Sequence, residues 1–405
     1  MKRLLAIIAL FFVYAATKLV AVLSLDWKKR SRSGYVLVNG TFHNPNWFHA
    51  HITPLVQSGY GPVVLITDEP IVELDNLIYH CPPIWANRFL SRAGAKALWS
   101  FYYGWKYGAD IYVGYHIFPS AVSTLICARI LGAQCVYQVT SGQLELEGGG
   151  WHAENKLLVA LGGPSSLVER MVLSVVREFD LAIVRGSAAG EYLRKAGFRR
   201  SLEAVTGSVD MEELVPGEKD IDVIFVGRLT EYKRPDRLVN VIGKVVESHP
   251  QCVVKLVGDG PDRDELEDQA KRLGIENNVE FMGQRSDVPT LVARAKVFIL
   301  TSRWEGVSIA MLEAMGMEAV PVVSDVGDLA DFAVNDETGF VIPEDEIDAY
   351  ADAISRLLDD EDFRLRLAKS ARELVSSRCD RVVLSRRWGV IFNELAATPG
   401  DLKET

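Results

Sequence analysis

Two glutamates eight positions apart, Glu305 and Glu313, lie in the run Glu305-Gly306-Val307-Ser308-Ile309-Ala310-Met311-Leu312-Glu313-Ala314-Met315. The apolar run Val297-Phe298-Ile299-Leu300 before them predicts a strand, and Ser308 predicts a helix N-cap. A strand, a loop and a helix opening aim backbone N–H groups and the positive end of a dipole at one point, which suits a diphosphate. A carboxylate one turn inside that helix can accept hydrogen bonds from two vicinal hydroxyls, as on a ribose. One in the loop before it can reach a second polyol. The stretch reads as a clamp for a nucleotide joined to a sugar; the competing reading is a buried helix carrying two incidental acids.

Val226-Gly227-Arg228-Leu229 ends another predicted strand, and Lys233 follows Arg228 by five residues. A glycine at a strand end lets backbone approach a ligand. Arg228 and Lys233 then offer a fork and a point charge where open α/β sheets bind ligands, fit to hold a diphosphate as leaving group. Surface cations on a loop are the alternative. Gly258-Asp259-Gly260-Pro261 reads as a tight turn, because Arg263 occupies the next glycine position of a dinucleotide fingerprint. Phe281-Met282-Gly283-Gln284 could lay backbone against a nucleobase. No Walker A motif occurs.

The elements that must position these residues alternate. Apolar runs at residues 35–38, 62–66, 111–113, 134–137 and 181–184 predict strands, with helices between them at Ala121–Leu131 and Ser165–Arg177. After an acidic connector the alternation restarts, with strands at 222–226, 253–257, 279–281, 297–300 and 320–323. Helices are predicted there at Arg237–His249, Arg263–Leu273, Asp287–Ala295, Ile309–Met317 and Asp348–Leu358. The class is α/β: two Rossmann-like doubly wound domains facing a cleft. Residues 33–210 form the first domain and 211–379 the second, with a C-terminal helix at about 380–398 crossing back to the first. The net charge of −10 disfavours nucleic acid, and the five scattered cysteines fit neither a disulfide framework nor a zinc site.

Gly227-Arg228-Leu229 with Lys233, Gly258-Asp259-Gly260-Pro261, Phe281-Met282-Gly283, Glu305 with Glu313, Pro321-Val322-Val323-Ser324-Asp325-Val326-Gly327 and Glu337-Thr338-Gly339-Phe340-Val341 appear in order. Over about residues 200 to 375 this resembles the retaining GT4-type glycosyltransferases (glycosyl transferases group 1) of the GT-B fold. The resemblance implies a UDP- or GDP-sugar donor as co-substrate, retention of anomeric configuration and no required metal or other cofactor. It implies Glu305, Arg228 and Lys233 as catalytic residues and Glu313 at the ribose. Gly227, Gly306, Val307, Ser308, Ile309, Met282 and Gly283 are the further donor-binding residues. Two departures stand out: Arg234 occupies a place where the family often has glycine, and Glu318 lies near another.

The first domain, which the resemblance makes the acceptor domain, is less legible. His43, Asn44, His116 and Thr140 are candidate acceptor or sugar contacts, with helix capping the alternative for the first two. Thr140 stands where the family often has histidine. The spacing of His43, His49 and His51 matches no zinc pattern. Gly148-Gly149-Gly150-Trp151-His152 reads as a mobile loop.

Residues 1–32 predict a membrane-anchor helix from Leu4 to Leu25 with a basic stop at Lys28, Lys29, Arg30 and Arg32, placing the catalytic domains at the cytoplasmic face. A cleaved signal peptide and a helix lying in the interface are the alternatives. Arg88, Arg92 and Lys96 recur every four residues among Phe89, Trp99, Phe101, Tyr103 and Trp105, a basic aromatic face suited to an anionic membrane or a solvated stripe over core aromatics. With the anchor this points to a glycan or lipid-linked acceptor, as in cell-surface polysaccharide or glycolipid synthesis. A nucleotide-sugar epimerase, or a catalytically weak nucleotide-sugar-binding component of a polysaccharide assembly, are the other readings.

Overall fold

A computed structural model describes residues 2–22, 33–140, 142–150 and 156–397. The chain divides into two compact units, Met1–Gly207 with Val382–Thr405, and Ser208–Arg381.

In the first unit α1 (Lys2–Val22) precedes β1 (Val36–Asn39), α2 (Pro45–His51), α3 (Thr53–Val56), β2 (Val63–Ile66), β3 (Leu77–His80), α4 (Ile84–Tyr107) and β4 (Ile111–Tyr115). Next come α5 (Val122–Leu131), β5 (Gln134–Gln138), α6 (Lys156–Val159), α7 (Ser166–Val176), β6 (Leu181–Val184), α8 (Ser187–Lys195) and β7 (Ser201–Ala204). The strands form one sheet in the order β3-β2-β1-β4-β5-β6-β7, every pairing parallel. The inner strands are buried on both faces, which is why they read as unbroken Val/Ile/Leu runs. Edge strands β3 and β7 are half-exposed and were not predicted.

The second unit runs β8 (Ile221–Val226), α9 (Pro235–Ser248), β9 (Val254–Val257), α10 (Arg263–Arg272), β10 (Val279–Gly283), α11 (Val288–Ala293) and β11 (Ala295–Leu300). It continues with α12 (Ile309–Gly316), β12 (Val320–Ser324), β13 (Phe340–Ile342), α13 (Ile347–Asp359) and α14 (Glu361–Cys379). Its parallel sheet has the order β10-β9-β8-β11-β12-β13. Each sheet reverses its winding once, between β1 and β4 and between β8 and β11. Loops leaving the carboxyl ends of those strands diverge there and leave room for a ligand. The last helix, α15 (Arg381–Ala397), sets Leu384, Trp388, Ile391 and Phe392 into the core of the first unit beside Phe48, Leu55 and Val56.

The expected membrane anchor is corrected. Among the described residues no helix is long and apolar enough to cross a membrane. Instead α1 packs along α5 and α7, burying Ala6, Leu10 and Thr17, and Lys18 pairs with Glu178 and donates to the Ser174 carbonyl (3.0 Å). One face of the helix is thereby held on the domain. The basic stop lies outside the described residues. The basic stripe on α4 is corrected as well. Ser91 (φ 62°, ψ 162°) breaks the helical backbone, so the four-residue period does not carry through. Arg88 and Arg92 are exposed, whereas Lys96 is buried, with its ammonium 3.0 Å from Asp68.

Candidate active site

Most of the candidate donor residues gather around the winding reversal of the second unit. Gly227 follows β8, and its carbonyl lies 1.8 Å from where a Cβ on Gly258 would sit (φ +134°), so only glycine lets these two strand ends meet. Gly258 N–H in turn donates to the Gly283 carbonyl (2.9 Å), which brings the Met282-Gly283 end of β10 to the same rim. Arg228 is exposed and lies against Tyr232, with its guanidinium 2.8 and 3.2 Å from the phenol oxygen.

Lys233 and Glu305 form an ion pair across 72 residues, both largely buried at 15% and 11% side-chain exposure. The loop after β8 is tied to the loop after β11 by two bonds: Thr301 Oγ1 donates to the Arg234 carbonyl (2.8 Å) and Arg303 N–H to the Tyr232 carbonyl (2.8 Å). Ser302 Oγ donates to the same Glu305 oxygen that Lys233 holds (2.7 Å). Gly327 (φ +60°) completes the fit, because a Cβ there would lie 1.8 Å from the Glu305 carbonyl oxygen. A lysine ammonium has three donors, so one can serve Glu305 while others face a ligand.

Past this pair Ser308 caps α12 as predicted, its Oγ accepting from Met311 N–H (3.3 Å). Glu313 lies one turn inside. It is mostly buried and makes no hydrogen bond or ion pair to the described residues, and burial pushes its carboxyl up to about 7. A carboxyl that has lost water and gained no protein donor stands ready for donors from a ligand. Both family departures fall on left-handed backbone, Arg234 at φ 49° and Glu318 at φ 60°. That conformation explains why glycine serves there. Arg234 is braced by two-pronged pairing with Asp236 (2.9 Å).

The first unit holds a second cluster. The Glu145 carboxylate, 1% exposed, accepts from Ile117 N–H (2.6 Å), Tyr137 OH (2.9 Å), Thr140 N–H (2.8 Å) and Thr140 Oγ1 (2.7 Å). Thr140 spends its one hydroxyl proton on Glu145, so its oxygen accepts from His116 Nδ1–H (2.6 Å). With Nδ1 so engaged, Nε2 is the ring nitrogen left for a ligand, on an exposed residue held at φ 60°. Residue types alone hid Glu145; its signal is a single acid spaced five residues after Thr140 at the end of an apolar strand. His43 is exposed, 3.9 Å from Glu69, and Asn44 caps α2 by accepting from Asn46 N–H (2.8 Å) and Trp47 N–H (3.3 Å). The capping alternative accounts for Asn44. His51 is buried against Arg185 and Trp47, and burial first, then the guanidinium, holds its imidazole well below the usual range. Among the described residues no three His, Cys, Asp or Glu side chains are grouped to hold a metal ion. Gly148 to Gly150 are buried and left-handed, with Gly149 against Val168 on α7, so they are packed; Trp151 and His152 lie outside the described residues.

Two parallel doubly wound units, one with cations and carboxylates gathered at its winding reversal, place the molecule among the GT-B proteins. Solved structures agree on the fold: Anabaena HepE in complex with UDP and glucose superposes with a TM-score of 0.71 at 18% identity, over 90% of this chain and 99% of that one. Residues 208–374 match the family model described as Glycosyl transferases group 1. The alpha-D-kanosaminyltransferase of Streptomyces kanamyceticus is 28% identical over 175 residues, 43% of this chain and 45% of that protein. The UDP-Gal:alpha-D-GlcNAc-diphosphoundecaprenol alpha-1,3-galactosyltransferase of Escherichia coli is 28% identical over 171 residues, 41% of this chain and 44% of that protein. These matches span less than half the length of either relative.

Proposed function

We propose that the protein is a glycosyltransferase that moves a sugar from a nucleotide-diphosphate donor to a glycan or lipid-linked acceptor with retention at the anomeric carbon. The observation that carries this reading is Glu313: a mostly buried carboxyl with no donor among the described residues, one turn inside a capped helix that opens three residues after Glu305 of the Lys233–Glu305 pair. In it the ribose hydroxyls donate to Glu313, the diphosphate lies near the first N–H groups of α12, and Glu305 meets the donor sugar.

As the anomeric C–O bond breaks, negative charge grows on the β-phosphate. Arg228 and Lys233 neutralise it, a role a metal ion plays elsewhere, so the reading needs no metal. The acceptor hydroxyl attacks from the face the diphosphate leaves, and the leaving phosphate takes its proton. His116 Nε2 is assigned to accept from a sugar or acceptor hydroxyl. The membrane-proximal acceptor and the cytoplasmic-face location belong to this reading; they rest on the apolar and basic N-terminal sequence and on the lipid-linked acceptor named for the Escherichia coli relative.

The test is a thermal-shift panel on the full chain with UDP, GDP, ADP and NAD. A nucleotide at 100 times its Kd adds about 2.7 kcal/mol. Stabilisation by UDP or GDP, lost in Glu313→Ala, is the expected result. Stabilisation by NAD alone, or by none of them, overturns it. Donor binding with release of free epimerised nucleotide sugar and no transfer would favour the epimerase reading instead.

A further inference from the structure

The first unit carries an apolar surface that its core does not use. Helices α1 and α4 both pack on α5, on the sheet face opposite α15. Each then shows a second apolar stripe to solvent. On α1 the outward residues are Ile8, Phe11, Phe12 and Leu19, spaced along one helical face. On α4 the segment before Ser91 exposes Ile84 (88%), Trp85 (61%) and Phe89 (81%), and the segment after it exposes Leu98, Tyr102 and Trp105. A helix docked on a globular unit ordinarily turns polar residues outward, and apolar stripes exposed on two helices of one sheet face point to an interaction surface.

Charge identifies the partner. The chain carries 54 acidic residues against 44 Lys and Arg, yet α1 and α4 contain no Asp or Glu at all. Arg88 and Arg92 stand exposed between the α4 aromatics. A groove of about 920 Å³ between α1 and α7 is lined by Ile7, Phe11, Phe12 and Met171, with exposed Arg170 and Arg177 among its walls. Aromatic and aliphatic side chains interleaved with exposed cations match the boundary of an anionic bilayer, where rings sit at headgroup depth and guanidinium groups meet phosphates. A protein partner would be met by apolar contact alone and gives no reason for excluding acids from 45 helical residues (21 in α1 and 24 in α4).

We infer that the α1–α4 face docks the protein, without spanning, on a membrane surface rich in anionic lipid, with the α1–α7 groove open to an acyl chain. This inference stands independently of the transferase reading, because none of its residues lies in the second unit.

The test is cosedimentation of the full chain with phosphatidylcholine vesicles, with and without phosphatidylglycerol, at low and high salt. Binding is expected to need the anionic lipid and to weaken with salt. Arg88→Glu/Arg92→Glu and Trp85→Ser/Phe89→Ser change exposed residues only, and each should lower partitioning about tenfold or more. Their nucleotide-induced thermal shift should stay at the wild-type value, so failure of donor binding and failure of membrane docking are read separately. Equal binding to neutral and anionic vesicles, or wild-type partitioning in both variants, overturns the inference. So does a dimer in lipid-free sedimentation equilibrium that Trp85→Ser/Phe89→Ser dissolves, since the face would then be covered by a second copy.

Discussion

Replacing Glu313 with glutamine should make the ligand-free protein more stable, and only at the upper end of the pH range. Burial raises this carboxyl from 4.5 to about 7. Below pH about 4.5 it is protonated in folded and unfolded chains alike, and its contribution to stability is fully present. Between 4.5 and 7 the unfolded chain loses the proton first, so stability falls as pH rises, and above 7 the loss is complete. The interval corresponds to about 3 kcal/mol. Glutamine never ionises, so Glu313→Gln escapes the loss. For a unit of this size that is roughly 6–12 °C in Tm. The assay is thermal unfolding of both proteins from pH 5 to pH 8, reading the difference between them so that all other groups cancel. The gap should open across pH 5–7 and then level off. Saturating nucleotide should narrow it, because ribose hydroxyls donate to the carboxylate and favour its charged form, while the variant gains little from nucleotide. A pH-independent offset, or a variant that loses ground as pH rises, would refute the argument that Glu313 lacks a protein donor.

Lys233→Ala should cut turnover at least a hundredfold while leaving Glu305 buried without its cation; chemical denaturation should show a loss of about 3 kcal/mol, part of which Lys233→Ala/Glu305→Ala restores. Gly327→Ala should lower both stability and turnover, since its Cβ falls on the Glu305 carbonyl, and a crystal structure would show the Glu305 loop displaced. Glu318→Gly should raise stability by about 0.5–1 kcal/mol in urea unfolding by relieving φ 60°. Glu145→Gln removes a carboxylate from four donors and should cost about 2 kcal/mol; loss of the His116 Nδ1–H signal in NMR would show that His116 has been released.

The residues of the second unit were legible because two independent signals coincide there. Doubly buried strands such as Val297–Leu300 leave continuous apolar runs, and the motifs follow them at strand ends. The Lys233–Glu305 contact was not legible from spacing, since 72 residues separate the partners and the sheet order joins them. Glu145 escaped for the same reason: its donors at 117, 137 and 140 converge only once β4 and β5 are neighbours. Strands β3 and β7 lack the buried pattern because they are edges. For α1, an apolar run of this length is compatible with crossing a bilayer or with lying along a domain, and the ion pair of Lys18 with Glu178, 160 residues away, is what separates the two.

The return of α15 has a consequence for how the chain is made. The first unit is built from two separated stretches of chain, and the second is inserted between them from 208 to 381. On the ribosome the insert is complete while the opening unit still lacks Trp388 and Phe392, which close the layer over Phe48 and Tyr60. Order along the chain and order of completion are therefore reversed: the second unit matures first, and the unit that precedes it waits for α15. A chain cut within α15 after Arg381 would spare the later domain and leave the earlier one open.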